Sequence, residues 1–235
     1  MKKQNLVLLP GLLNDYRLFE QQIAWLADVT IATVPDLTNA NSMSQLAAQT
    51  LEQAPEGEFV LAGLSMGGYL ALEIIRQAPE RVSALALLDT SARPDTPEAT
   101  ANRNELIKLA ETDLNAVIEK LIPKLIHPSQ LNDARQINAV KAMADTLGKD
   151  VFIRQQQAII GRIDSRPYLK DIECPTLILC GQDDVITPLE VHEELHQGIK
   201  NSKLVTIENC GHLSTIGQPQ EVTAALRDWL KSINQ

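Results

Sequence analysis

Short apolar runs alternate with longer amphipathic stretches along most of this chain. Nearly unbroken apolar segments at 6–9, 30–34, 59–62, 84–88, 176–180 and 204–207 predict six strands. A strand covered on both faces loses the period-two alternation of a half-exposed sheet, so these runs predict a buried, mostly parallel sheet. Apolar residues recur at helical spacing over 17–27, 42–53, 66–78, 188–197 and 218–232. Pro188 and Pro219 stand near two of the helix starts, where a missing N–H does no harm. The alternation of strand and helix predicts an α/β fold with right-handed crossovers and helices flanking the sheet.

The alternation stops between 93 and 166. No strand pattern occurs there, and helical stretches at 99–110, 114–126, 131–147 and 151–160 fill the span. The expectation is an all-helical lid, 93–166, inserted into a core built from 1–92 and 167–235. The lid segment carries 11 basic and 10 acidic side chains, whereas the whole chain has a net charge of −9. An acidic chain lacks the basic face that displaces counterions from phosphate, which excludes a general nucleic-acid binder. No run approaches the about 18 apolar residues of a membrane span. The run at 6–9 is too short for the apolar centre of a secretory signal. The cysteines, Cys174, Cys180 and Cys210, are odd in number and lack metal-ligand spacing. These features imply a cytoplasmic protein whose partner is a small molecule; the oligomeric state stays open.

The chemistry enters at Gly63-Leu-Ser65-Met-Gly67. An apolar strand pattern runs into this G-x-S-x-G, and a helical pattern runs out of it. A strand that reverses sharply into a helix lifts a serine hydroxyl above the sheet, at a helix N-terminus where developing negative charge is favoured. The Met66 N–H then faces a future oxyanion. A second donor belongs in the loop after the first strand, Pro10-Gly11-Leu12, with Leu12 N–H the candidate. A serine hydroxyl needs an adjacent base. Of the four histidines, His212 follows the last strand in a Gly211-His212 pair. The acid belongs between serine and histidine in chain order. Asp183 and Asp184 end the fifth strand and Asp89 ends the fourth, so three candidates stand.

Together these pieces resemble the α/β-hydrolase superfamily, and within it small bacterial esterases and enol-lactonases with a helical cap. The resemblance covers nearly the whole chain. The family's acid-loop pattern, G-x-x-D-x-x-x-P, falls on Gly181, Asp184 and Pro188, which favours Asp184 over Asp183 and Asp89. It implies hydrolysis of an ester, lactone or thioester through an acyl-enzyme, with no metal or organic cofactor. Two departures stand out. Pro10 occupies a position where many members carry histidine, and the antiparallel hairpin that often opens the family's sheet is not expected before the strand at 6–9. Two other activities go with this fold: a lyase of the menaquinone-pathway type, using the same residues for proton abstraction, and a non-catalytic ligand receptor.

Two further patterns carry expectations. His192-Glu193-Glu194-Leu195-His196 matches H-E-x-x-H, but Ile199 and Ser202 stand where the extended zinc motif needs glycine and histidine. A partly solvated helix face is therefore expected, not a metal site. The lid also holds Arg93, Arg154, Arg162 and Arg166, any of which is a candidate to pair a substrate carboxylate.

Overall fold

The computed structural model describes residues 3–233, so the first and last two positions of the expected core lie outside the described residues. Strands β1 (Gln4–Leu9), β2 (Thr30–Thr33), β3 (Phe59–Leu64), β4 (Val82–Leu88), β5 (Thr176–Gly181) and β6 (Ser202–Ile207) form one sheet in the order β2-β1-β3-β4-β5-β6. Every neighbouring pair is parallel. The expected six-stranded sheet is present, and it is entirely parallel.

Helices α1 (Glu20–Trp25), α2 (Met43–Gln53) and α3 (Met66–Gln77) follow the first three strands. Between β4 and β5 lie α4 (Pro97–Thr112), α5 (Leu114–Leu125) and α6 (Ala134–Ile160). After β5 come α7 (Leu189–Gly198), α8 (Ser214–Gly217) and α9 (Pro219–Ser232). The helix expected over 17–27 is broken, because Tyr16–Phe19 is a tighter 3-10 turn capped by Asp15. The separate stretches 131–147 and 151–160 join as α6, interrupted at Gly148, whose φ of 77° is non-helical.

Alternate strand residues feed two apolar layers. Leu6, Leu8, Val60, Ala62, Leu177 and Leu179 pack with α9 and with α4–α6, while Val7, Leu9, Leu61, Leu85, Leu87 and Ile178 pack against α2, α3 and α7. With β1 and β3 buried on both sides, continuous apolar runs are what the sequence had to show. The helical segment between β4 and β5 shares the first layer through Val117, Ile122, Met143 and Phe152. That segment is therefore held to the sheet by apolar packing. Strand order reverses between β1 and β3, and in open parallel sheets the crevice at such a reversal, outside the strands' carboxyl ends, is where ligands bind.

Candidate active site

The site is built from four strand ends. Leu64 closes β3, and Ser65 caps α3 with φ 56° and ψ −115°. A non-glycine residue held there stores about 1–3 kcal/mol of strain. The fold imposes it through neighbours: Ser65 N–H donates to Leu88 O at 3.0 Å, and Thr90 Oγ1 donates to Ser65 O at 2.8 Å. A Cβ at Gly63 would collide with the Gly67 carbonyl, and one at Gly67 with the Leu9 carbonyl. The two glycines thus let the turn close and let α3 press onto the end of β1.

Ser65 Oγ lies 2.7 Å from His212 Nε2, and His212 Nδ1 lies 2.7 Å from Asp184 Oδ2. Asp184 is fixed in turn. Its Oδ1 accepts from the Ile186 and Thr187 N–H groups, at 2.8 and 3.1 Å, and its Oδ2 accepts from Thr187 Oγ1 at 2.6 Å. Burial opposes ionisation of Asp184, but the His212 charge and these hydrogen bonds hold its carboxyl below the usual range. Burial likewise disfavours a charged His212, yet the Asp184 carboxylate outweighs it and raises the imidazole above its ordinary value. A buried, hydrogen-bonded Asp–His pair of this kind keeps the proton on Nδ1 and leaves Nε2 free to take one from the serine.

The two other aspartates lie elsewhere. Asp183 is half exposed and faces His127 at 3.4 Å. Asp89 is fully buried, with φ 44°, and braces two loops at once: its Oδ1 accepts the Gly181 N–H at 2.9 Å and its Oδ2 the Ser214 N–H at 3.2 Å. Burial and the nearby Asp184 charge push its carboxyl up to about 7.

The Leu12 and Met66 N–H groups donate to no acceptor among the described residues. Met66 is the first residue of α3, so its donor is one that the helix itself leaves unpaired. The loop carrying Leu12 is anchored from α6. Leu13, at φ 52°, donates its N–H to Gln155 Oε1 at 2.9 Å, and Gln155 Nε2 donates to Leu37 O at 3.2 Å. Leu12, Ser65 and His212 line a cavity of about 300 Å³, closed by residues of α4, α5 and α6.

The four arginines named from the sequence do not line that cavity. Arg93 pairs with Glu190 and Glu194, and Arg166 with Asp164 and Glu194. Arg154 donates to Thr38 O, and Arg162 pairs with Asp95 while lying 4.4 Å over the Tyr69 ring. The cationic lining is instead Arg103 and Lys124. The helix face expected to be partly solvated is exposed at Glu193 and His196, but His192 departs from that expectation. His192 is fully buried, with Nε2 accepting the Thr90 N–H at 3.0 Å and Nδ1 3.3 Å from Pro188 O. Burial lowers its pKa to about 4, so it is a neutral brace beneath the Ser65 turn. His196 is exposed and pairs with Ser202. No group of three or more His, Cys, Asp or Glu side chains suited to a metal occurs among the described residues. No helix among them is long and apolar enough to cross a membrane.

The sequence reading missed Gln155, Gln156, Arg103 and Thr187. A signal existed for the glutamines. Phe152, Gln155, Gln156 and Ile159 form an i, i+3, i+4, i+7 stripe, all buried, so two amides stand where the helical period calls for apolar residues.

A family model described as alpha/beta hydrolase fold matches residues 36–219. The chain belongs to that family. The structure of a thermophilic esterase from Thermogutta terrifontis, solved with malate bound, superposes with a TM-score of 0.92 at 31% identity, covering 100% of this chain and 92% of that one. An enol-lactonase from Burkholderia xenovorans LB400 shares the fold, with a TM-score of 0.89 at 21% identity over 98% and 92% of the two chains. Among sequences, a pimeloyl-[acyl-carrier protein] methyl ester esterase from Neisseria meningitidis is 26% identical over 74% of this chain and 57% of its own length.

Proposed function

We propose that this chain is a serine hydrolase cleaving small carboxylic esters, lactones or thioesters through an acyl-enzyme. The observation that carries the reading is the unbroken chain from Ser65 Oγ through His212 to Asp184, opening onto the cavity. The esterases among its relatives support the bond type.

In this reading Ser65 Oγ attacks the carbonyl carbon as its proton passes to His212 Nε2. The carbonyl electrons move onto oxygen, where the Leu12 and Met66 N–H groups hold the oxyanion. Collapse breaks the bond to the leaving group, which takes the proton from His212. Water then attacks the acyl carbon by the same route, releasing the acid and restoring Ser65. Asp184 stabilises the transient imidazolium. The helices between β4 and β5 act as the lid, and a cavity of about 300 Å³ suits short acyl groups. Three free cysteines, two of them buried, fit a reducing, cytoplasmic setting.

The test is labelling with a fluorophosphonate, read by peptide mass, alongside hydrolysis of acetate, butyrate and laurate esters. Label at Ser65, none in Ser65→Ala, and acetate or butyrate turned over faster than laurate are expected. Equal labelling of the alanine variant would overturn the assignment of the nucleophile.

A further inference from the structure

The cavity beside Ser65 has one wall with unmet hydrogen-bonding capacity. Gln156 projects from α6 and is only 1% exposed, yet its Nε2 has no hydrogen-bond partner. Its amide orientation is not free. Arg103 Nη1 donates to Gln156 Oε1 at 2.8 Å, and a guanidinium can only donate, so the oxygen is the atom that meets Arg103 and the adjacent NH₂ is the one left without a partner. A buried amide donor without an acceptor is a standing cost, which a ligand oxygen would relieve.

The charge around this donor points the same way. Arg103 Nε lies 3.0 Å from Asp95 Oδ2, and Asp95 Oδ1 also accepts from Arg162 Nη1 at 2.6 Å. Two guanidinium groups share one carboxylate that is itself 2% exposed, so the cluster holds a net positive charge behind the wall. Among the described residues no aspartate or glutamate lines the cavity, although the chain as a whole has a net charge of −9. Its charged lining is Arg103 and Lys124.

We infer that Gln156 and Arg103 form a carboxylate-binding subsite, which makes short esters bearing a free carboxylate, such as half-esters of small dicarboxylic acids, the preferred substrate class. The inference rests on the serine-hydrolase reading for its turnover and on the wall's geometry for its binding. An anion there accepts from Gln156 Nε2 and sits against the Arg103 guanidinium, a charge-assisted contact roughly twice as strong as a neutral one. The bound carboxylate holds the ester end of the molecule at Ser65.

The experiment compares monomethyl succinate with its uncharged counterpart dimethyl succinate in a pH-stat. Wild type is expected to favour the half-ester in kcat/KM by at least tenfold. Gln156→Glu keeps the acceptor that Arg103 needs but replaces the free donor with a carboxylate oxygen, and should cut that preference at least fivefold. Arg103→Met should do the same while Asp95 stays paired with Arg162. A preference below one in wild type, or one left intact in both variants, overturns the subsite. A second arm separates this from failure of the hydrolase reading. Succinate is titrated calorimetrically into the folded Ser65→Ala protein, and into the same protein carrying Gln156→Glu. Binding lost with the second substitution upholds the subsite even if neither ester is turned over. Equal binding by both proteins, or binding by neither, refutes it.

Discussion

Gln155 and Leu13 are 142 residues apart in sequence, yet Gln155 Oε1 accepts the Leu13 N–H at 2.9 Å in the buried interior. The bond ties α6, the last helix of the segment between β4 and β5, to the loop that carries the Leu12 N–H. The same amide donates to Leu37 O, so one side chain fixes two loops at the carboxyl edge of the sheet. Leu13 is held at φ 52°, a conformation a leucine adopts only when its surroundings enforce it.

Removing that amide should loosen the loop. Gln155→Leu has similar bulk but leaves a buried donor and a buried acceptor unmatched, at about 1–3 kcal/mol each. A fall in kcat of tenfold or more, with KM for a short ester changed far less, is expected, because in the proposed reaction the Leu12 N–H acts on the transition state. Steady-state kinetics with a parallel melting curve decides the matter. A lower melting temperature with kcat intact would make Gln155 merely structural.

The acid limb of the pH profile should report the His212–Asp184 pair. In the proposed reaction His212 must be neutral to accept the Ser65 proton. Its pKa is raised by Asp184, so the competent form appears only as pH climbs above the ordinary imidazole value. The inflection in kcat/KM is therefore expected above about 6.5. Asp89, at about 7, titrates in the same window, so the limb belongs to the coupled group of residues. Asp184→Asn removes the charge that opposes burial. Its inflection should move to lower pH while turnover drops by about 10³-fold or more. An unmoved inflection would mean that another group sets it.

Much of this was legible in the sequence because the physics is local. Buried parallel strands have to be apolar runs, and Ser65 was visible because Gly63 and Gly67 stand where backbones touch. Asp184 is favoured over Asp183 and Asp89 only through the resemblance to a family whose acid loop carries glycine, aspartate and proline where Gly181, Asp184 and Pro188 stand. Side-chain direction on helices was less legible. Arg93, Arg162 and Arg166 lie in or beside the helical segment, but each pairs with a nearby carboxylate away from the cavity, whereas Arg103 reaches it. The choice among these arginines depends on helix rotation and on which acids come within reach. His192 illustrates the converse. Its buried neighbours Val191, Leu195 and Ile199 mark an apolar stripe on which His192 falls, although the same residues spell H-E-x-x-H.

Asp89 offers a test in which activity and stability should move differently. Its carboxylate accepts one N–H from each of two loops, Gly181 beside the acid and Ser214 beside the histidine. Asn has a single acceptor oxygen, so Asp89→Asn turns an NH₂ toward one of those donors. The Ser214 contact is the longer of the two and should yield first, displacing His212 and lowering kcat by about tenfold for a cost of about 1–3 kcal/mol. The pH dependence has a definite sign. The folded pKa of Asp89 is raised from 3.8 to about 7, so its contribution to stability is complete below the unfolded value and is lost as pH rises through the folded one. The asparagine cannot titrate. The melting-temperature deficit of the variant should therefore be largest near pH 4 and shrink toward pH 8, while its kcat deficit persists across that range. Melting curves and kcat measured together from pH 4 to 8 test both halves. A deficit that grew with pH would show that the Asp89 carboxylate stabilises the fold as an anion, with the two N–H groups outweighing burial and the charge of Asp184.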